Sequence, residues 1–266
     1  MTRFYYSERV WLQAALLLLA AIPATLVARE LDARTINDIN VWIKPLKFYT
    51  STALHLVTMA VLVWFLSDKA RSARWLSVMA GVSAFAAVVE IAVIAAQAGR
   101  GVASHFNYST QLDTLIYSFM GVGVLVVTIP ALVIGVWFLR TPVTEKLTPG
   151  LKLGAGLGLT LGFLLTLVIA GYMSAQPGGH WVGGPRTDLG GVPLVGWSRE
   201  GGDLRVPHFF ATHLMQALPL VGYAADKIFR LDAKTAKRAV WIAAGVGLAV
   251  AVGTFVQALN GQPVIG

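Results

Sequence analysis

The stretch "WLSVMAGVSAFAAVVEIAVIAAQA", residues 75 to 98, decides the fold class. Its 24 residues hold one ionisable group, Glu90. A helix rises 1.5 Å per residue, so about 20 apolar residues cross roughly 30 Å of hydrocarbon. The stretch therefore predicts a transmembrane helix. Six others of the same kind lie at about 10–28, 48–67, 113–139, 150–173, 206–225 and 238–259. The longest remaining segment, 174–205, is too short and glycine-rich to bury a core of its own. The expectation is an all-α integral membrane protein of seven transmembrane helices, a single polytopic domain over residues 1–266.

Composition agrees, with 56% hydrophobic and 13% charged residues. There is no cysteine, which excludes disulfides, thiolate catalysis, cysteine-ligated iron–sulfur clusters and covalently attached c-type haem. The formal charge of +8 is distributed by loop. Thirteen of the 21 Lys and Arg residues, with five acids, fall at Arg3 and Arg9, at 68–74, at 140–152 and at 226–238. The alternate loops carry eight basic residues with seven acids. This pattern predicts a cytoplasmic N-terminus and an outer C-terminus. It makes the charge a matter of topology and excludes a nucleic-acid footprint. The Ala- and Gly-rich composition points to a multi-pass protein of a bacterial inner membrane.

Oriented in this way, the histidines fall on the outer half. His55 lies seven residues into span two, His213 seven into span six, and Glu90 seven below the outer end of span three. Each is expected about 10 Å below the outer interface. Ionisable residues in hydrocarbon are expensive and mark functional interiors. "GGDLRVPHFFATHLMQ", residues 201 to 216, opens span six. Pro207 suits the first position of a helix and Asp203 its positive end. His208 and His213 are five apart and diverge by about 140°. His213 is read as the deep ligand, on a face with Gln216, and His208 as an entrance residue. His105 and His180 belong to outer loops. The loop 174–205, with Trp181 and Trp197, is a candidate lid over the outer mouth.

Three chemistries follow from this set. The first is a b-type haem held by His55 and His213, with Lys47, Arg100 and Arg205 pairing with its propionates. Electrons would pass to or from quinol or a periplasmic partner, with Glu90 as the coupled proton acceptor or donor. The second is a zinc or iron site built from His55, Glu90, His213 and His208, serving a hydrolase or oxygenase. The third is a proton-coupled transporter in which Glu90 and the histidines relay protons. Two further segments are read as packing or as no site. "GAGLGLTLG", 154 to 162, lies within a span and is expected to pack helices closely. The last span has no lysine mid-helix to form a retinal Schiff base.

"STALH" sets Ser51 four residues before His55. That S-x-x-x-H on the second helix resembles one element of the seven-helix membrane hydrolases that include alkaline ceramidases and adiponectin-type receptors. Those proteins carry an H-x-x-x-H zinc pair on the last helix. The last span here has no histidine, so membership is not inferred.

Overall fold

The structure is a computed structural model and describes residues 4–266; Arg3, counted above among the cytoplasmic charges, lies outside the described residues. The chain divides into two compact units, the first running to Pro130 and the second starting at Ala131. In chain order the helices are α1 (Tyr6–Ala20), α2 (Ile22–Leu31), α3 (Ile43–Trp64), α4 (Asp68–Arg71) and α5 (Arg74–Arg100). They continue with α6 (Gln111–Arg140), α7 (Pro149–Ala175), α8 (Arg205–Tyr223) and α9 (Ala233–Leu259). Two minimal antiparallel pairs decorate the loops. β1 (Thr35–Ile36) pairs with β2 (Ile39–Asn40), and β3 (Trp181–Val182) with β4 (Gly202–Asp203).

Six of these segments are long and apolar enough to cross a membrane: 6–31, α3, α5, α6, α7 and α9. The first is α1 and α2 joined through Ala21, a break set by Pro23 near the start of α2. α8 falls short of that criterion. His208, His213, Gln216 and two prolines dilute its apolar content. A helix sheathed by neighbours does not need an apolar surface all round, and α8 packs on both α7 and α9. Seven spans were expected; six are supported by length and composition.

In the first unit α1 packs on α3 and α5, and α3 on α5. Trp11 is buried and its indole N–H donates to Ser83 Oγ at 2.9 Å. Leu56, Met59, Leu76 and Ile91 are buried in the same unit. Near the start of α1 a charge pair is enclosed. Arg71 Nε donates to Glu8 Oε1 at 2.5 Å and Nη2 to Glu8 Oε2 at 2.8 Å, with the side chains 4% and 0% exposed. The Tyr5 ring covers the guanidinium at 4.7 Å.

The second unit is built on a glycine seam. Gly150, Gly154, Gly158 and Gly162 recur every four residues along one face of α7, and α8 lies against them. A methyl group added at Gly158 would stand 2.6 Å from the Leu214 carbonyl oxygen; at Gly154 it would collide with the carbonyl of Leu218. Only glycine lets the two backbones approach so closely. The packing expected of residues 154–162 is what is found. At the end of the seam the π-helical turn 224–228 carries Asp226, whose Oδ2 accepts the Leu151 N–H at 2.8 Å. One of the unsatisfied donors at the start of α7 is thereby capped.

Candidate functional site

The sequence-predicted residues separate between the two units. His55, Glu90, Lys47, Ser51, Arg100 and His105 belong to the first. His208, His213, Gln216 and Arg205 belong to the second.

In the first unit, α3 and α5 each direct an ionisable side chain at α6. The half-buried His55 has Nε2 3.3 Å from the Val127 carbonyl oxygen. A carbonyl only accepts, so Nε2 carries the proton. Pro130 lacks an N–H and deprives the Val126 carbonyl of its helical donor. His55 therefore binds a helix already loosened one residue away. One turn earlier on α6, a methyl added at Gly123 would stand 2.8 Å from Glu90 Oε2. The missing side chain at Gly123 is the space the carboxylate occupies. Glu90 is 8% exposed, and among the described residues neither a hydrogen bond nor an ion pair holds it. Lys44, in the first turn of α3, is within electrostatic reach of both Glu90 and His105, and its ammonium lies 5.7 Å from the Phe48 ring centre.

His105, in the loop after α5, sits in an aromatic box. Its ring is 5.6 Å from Phe48 and 5.8 Å from Tyr117, and Nδ1 is 3.1 Å from Ser104 Oγ. Burial, aided by the Lys44 charge, holds the imidazole well below its usual pKa. It is neutral at pH 7. Ser51 donates to the Phe48 carbonyl at 3.4 Å. Lys47 is in the first turns of α3, two residues past Pro45. Arg100 pairs with Asp113 at 2.9 Å and also bonds Gln97 Oε1.

The equal depths expected for His55, Glu90 and His213 are depths below a bilayer surface, which the helix ends do not mark; the distances along the helices are these. α3 starts at Ile43, because Pro45 is compatible with a first turn. His55 is thus twelve residues in, Glu90 ten before the end of α5 and His213 eight into α8. These correspond to about 18, 15 and 12 Å.

In the second unit, His213 Nδ1 is 2.8 Å from the Phe209 carbonyl oxygen and so carries the proton. With the proton fixed on Nδ1, Nε2 is the ring nitrogen presented as a ligand or acceptor. The ring stacks on Phe209 at 3.9 Å. His208 Nδ1 is buried without a hydrogen-bond partner among the described residues. Its carbonyl accepts from Thr212, whose hydroxyl is 3.1 Å from that of Thr166 on α7. Gln216 lies one turn beyond His213 and half-buried. Asp203 caps α8, as expected, through the Arg205 N–H at 2.9 Å. Pro207 is the third rather than the first helical residue, a position whose N–H would also be unsatisfied.

Arg205 is the hub of the loop between α7 and α8. It pairs with Asp188 and Asp203, each at 2.7 Å, and Nη2 donates to the Gly196 carbonyl at 2.7 Å. His180 Nε2 is 3.5 Å from Asp188. Burial lowers the pKa of His180, with Arg205 opposing its charge and Asp188 and Asp203 only partly offsetting that. Asp188 is lowered by His180 and Arg205 against the opposing effect of burial. Among the described residues no three of His, Asp and Glu gather as a metal-holding group. Sequence reasoning missed Lys44 as a neighbour of Glu90, and the Asp188–Arg205–Asp203 knot. The one available signal for Lys44 was its position in "IKPLK", one turn before Phe48.

Comparison with known proteins finds no matching family model, no matching characterised protein and no matching solved structure.

Proposed function

We propose that this multi-pass membrane protein, in the inner membrane of a bacterium with its N-terminus cytoplasmic, is a proton-coupled carrier whose proton site is Glu90. The observation that carries the reading is a buried carboxylate with no hydrogen-bonded or ion-paired partner among the described residues, lodged in the space left by Gly123 of α6. A structural carboxylate at such a place is normally paired or hydrogen-bonded. Lys44 and neutral His105 lie on the Glu90 side of the unit and supply a route by which a proton reaches it. His55, bound to α6 one turn further along, couples the state of that helix to the same face.

The test is proton flux into vesicles containing the purified protein, driven by a membrane potential and read with an entrapped pH dye. Wild type should acidify the lumen, and Glu90→Gln should abolish the signal while the protein remains folded and inserted. A wild type that moves no protons, or a fully active Glu90→Gln, overturns the reading.

A second reading rests on His213, whose fixed Nδ1–H leaves Nε2 available as a ligand. A b-type haem, or zinc or iron, would be held there. The rest of the expected set fits less well. His55 gives Nε2 to a carbonyl, and Arg100 and Arg205 are committed to carboxylates. Redox exchange with quinol or a periplasmic protein is the function this reading carries. A visible spectrum of oxidised and dithionite-reduced protein, with metal analysis on the same sample, decides it. A reduced α-band or stoichiometric metal, lost in His213→Ala, would establish it; a colourless, metal-free protein would sink it.

A further inference from the structure

The loop between α7 and α8 is tied down at one point and under strain at another. The turn 192–197 closes through the Val192 N–H to the Trp197 carbonyl at 2.8 Å and the Gly196 N–H to the Val192 carbonyl at 2.7 Å. Within it the Val195 N–H reaches the Pro193 carbonyl at 2.9 Å around Leu194, whose φ is +69°. That is the rare γ-turn, a conformation side chains with a Cβ resist. Leu194 gains nothing in compensation, since it is 96% exposed. The turn holds its shape because each end is anchored. The Gly196 carbonyl is gripped by Arg205, and Trp197 next to it seats on α8, 5.4 Å from the Phe209 ring and 6.2 Å from that of Phe210. Phe209 in turn lies on the His213 imidazole. The rings of Trp197, Phe209 and His213 thus run inward from the loop to the helix.

We propose that residues 176–204 form a latched cover that controls access to His213, with Trp197 as its plug and the Arg205–Asp188 pair as its latch. Two features make it ready to open. The γ-turn at Leu194 stores backbone strain that lifting the plug would release. His208 Nδ1, one turn from the latch, is a buried polar atom without a partner that gains one when water enters. Against opening stand the charged bonds of Arg205 and the burial of the indole. The inference rests on neither functional reading. A cover of this kind serves whatever reaches His213 from the loop side, a small molecule that binds Nε2 of an imidazole whose Nδ1–H is already committed to Phe209.

Carbethoxylation tests it, using diethyl pyrocarbonate on the purified full chain in detergent, with the modification rate of each histidine followed by mass spectrometry of its peptide. Loosening the cover by Trp197→Ala or Arg205→Gln should speed modification of His213 about tenfold, as expected when a local opening equilibrium limits access. Leu194→Gly, which removes the strain, should slow it below wild type. His105, in the other unit, should be unchanged in all three and reports any global loosening. If Arg205→Gln fails to fold, Trp197→Ala and Leu194→Gly still oppose one another. His213 rates within about twofold of wild type in both of those variants would overturn the cover.

Discussion

Replacing Gly158 by alanine should destabilise the second unit, although the same change normally strengthens a helix. An ideal Cβ at 158 meets the Leu214 carbonyl oxygen at 2.6 Å, Pro219 Cδ at 2.9 Å and Leu218 Cβ at 3.3 Å. Ordinary contact begins at 3.4 Å, so α8 must retreat by about 0.8 Å. A carbonyl locked in a helix cannot swing aside as a side-chain tip does. A gap of that size forfeits about a quarter to a half of each dispersion contact along the seam. The overpacking cost is about 1–3 kcal/mol, and the upper half of that range is expected here. Gly171, on the same helix, provides the control, because nothing lies within 4 Å of its added methyl. There alanine should stabilise by about 0.5–1 kcal/mol through helix propensity. Thermal denaturation in one detergent at one heating rate reads the difference, at about 2–4 °C per kcal/mol for chains of this size. The expected order of Tm is Gly171→Ala, wild type, Gly158→Ala. A Gly158→Ala protein as stable as Gly171→Ala would refute the close approach of α7 to α8.

Glu8→Gln leaves Arg71 enclosed with only the exposed Asp68 carboxylate, 3.0 Å away, as counter-charge and should cost toward the lower end of about 3–5 kcal/mol, whereas Glu8→Leu combined with Arg71→Met should recover most of it; a double-mutant cycle of melting temperatures reads the coupling. For His180 the folded pKa lies below the unfolded value, so the folded loop binds fewer protons and its stability falls as pH drops from above about 6.5 toward the folded pKa. Protease cleavage within 176–204 should therefore be faster at pH 5 than at pH 7.5, and His180→Phe should flatten that dependence. Gly123→Ala should depress proton flux by pressing on Glu90, and Gly121→Ala, with open space around it, should not.

Much of the architecture was legible because a bilayer imposes a length that apolar runs record directly. α5 is the clearest case, expected over 75–98 and found over Arg74–Arg100. The seam of α7 was legible too, since glycine at every fourth residue in a span has few other uses. The helix ends were not, α3 starting at Ile43 rather than near residue 48. Ends are set by capping and by prolines such as Pro45, whose effect depends on which turn it occupies. α8 is read as a span from its apolar run over 206–225, and its polar side chains are accommodated through contact with α7 and α9. Lys44 enters the sequence reading only within the count of eight basic residues on the alternate loops, and nothing local in the chain reveals that it lies near a residue 46 positions away. Arg205 was offered to a propionate because its carboxylate partners, one of them in the middle of a glycine-rich loop, become neighbours only when that loop folds back.

The Arg71–Glu8 pair has a consequence for how the protein is made. Among the described residues the cation that bonds Glu8 is Arg71, which leaves the ribosome 63 residues after it. At about 5–20 residues per second, Glu8 waits roughly 3–13 s, during which α1 carries an uncompensated carboxylate next to its apolar run. The first helix cannot settle into its native place alone; it must stay near the water or be held by the insertion machinery until α4 emerges. Nascent chains stalled before residue 71 should remain extractable or open to quality control, and those stalled beyond it should not.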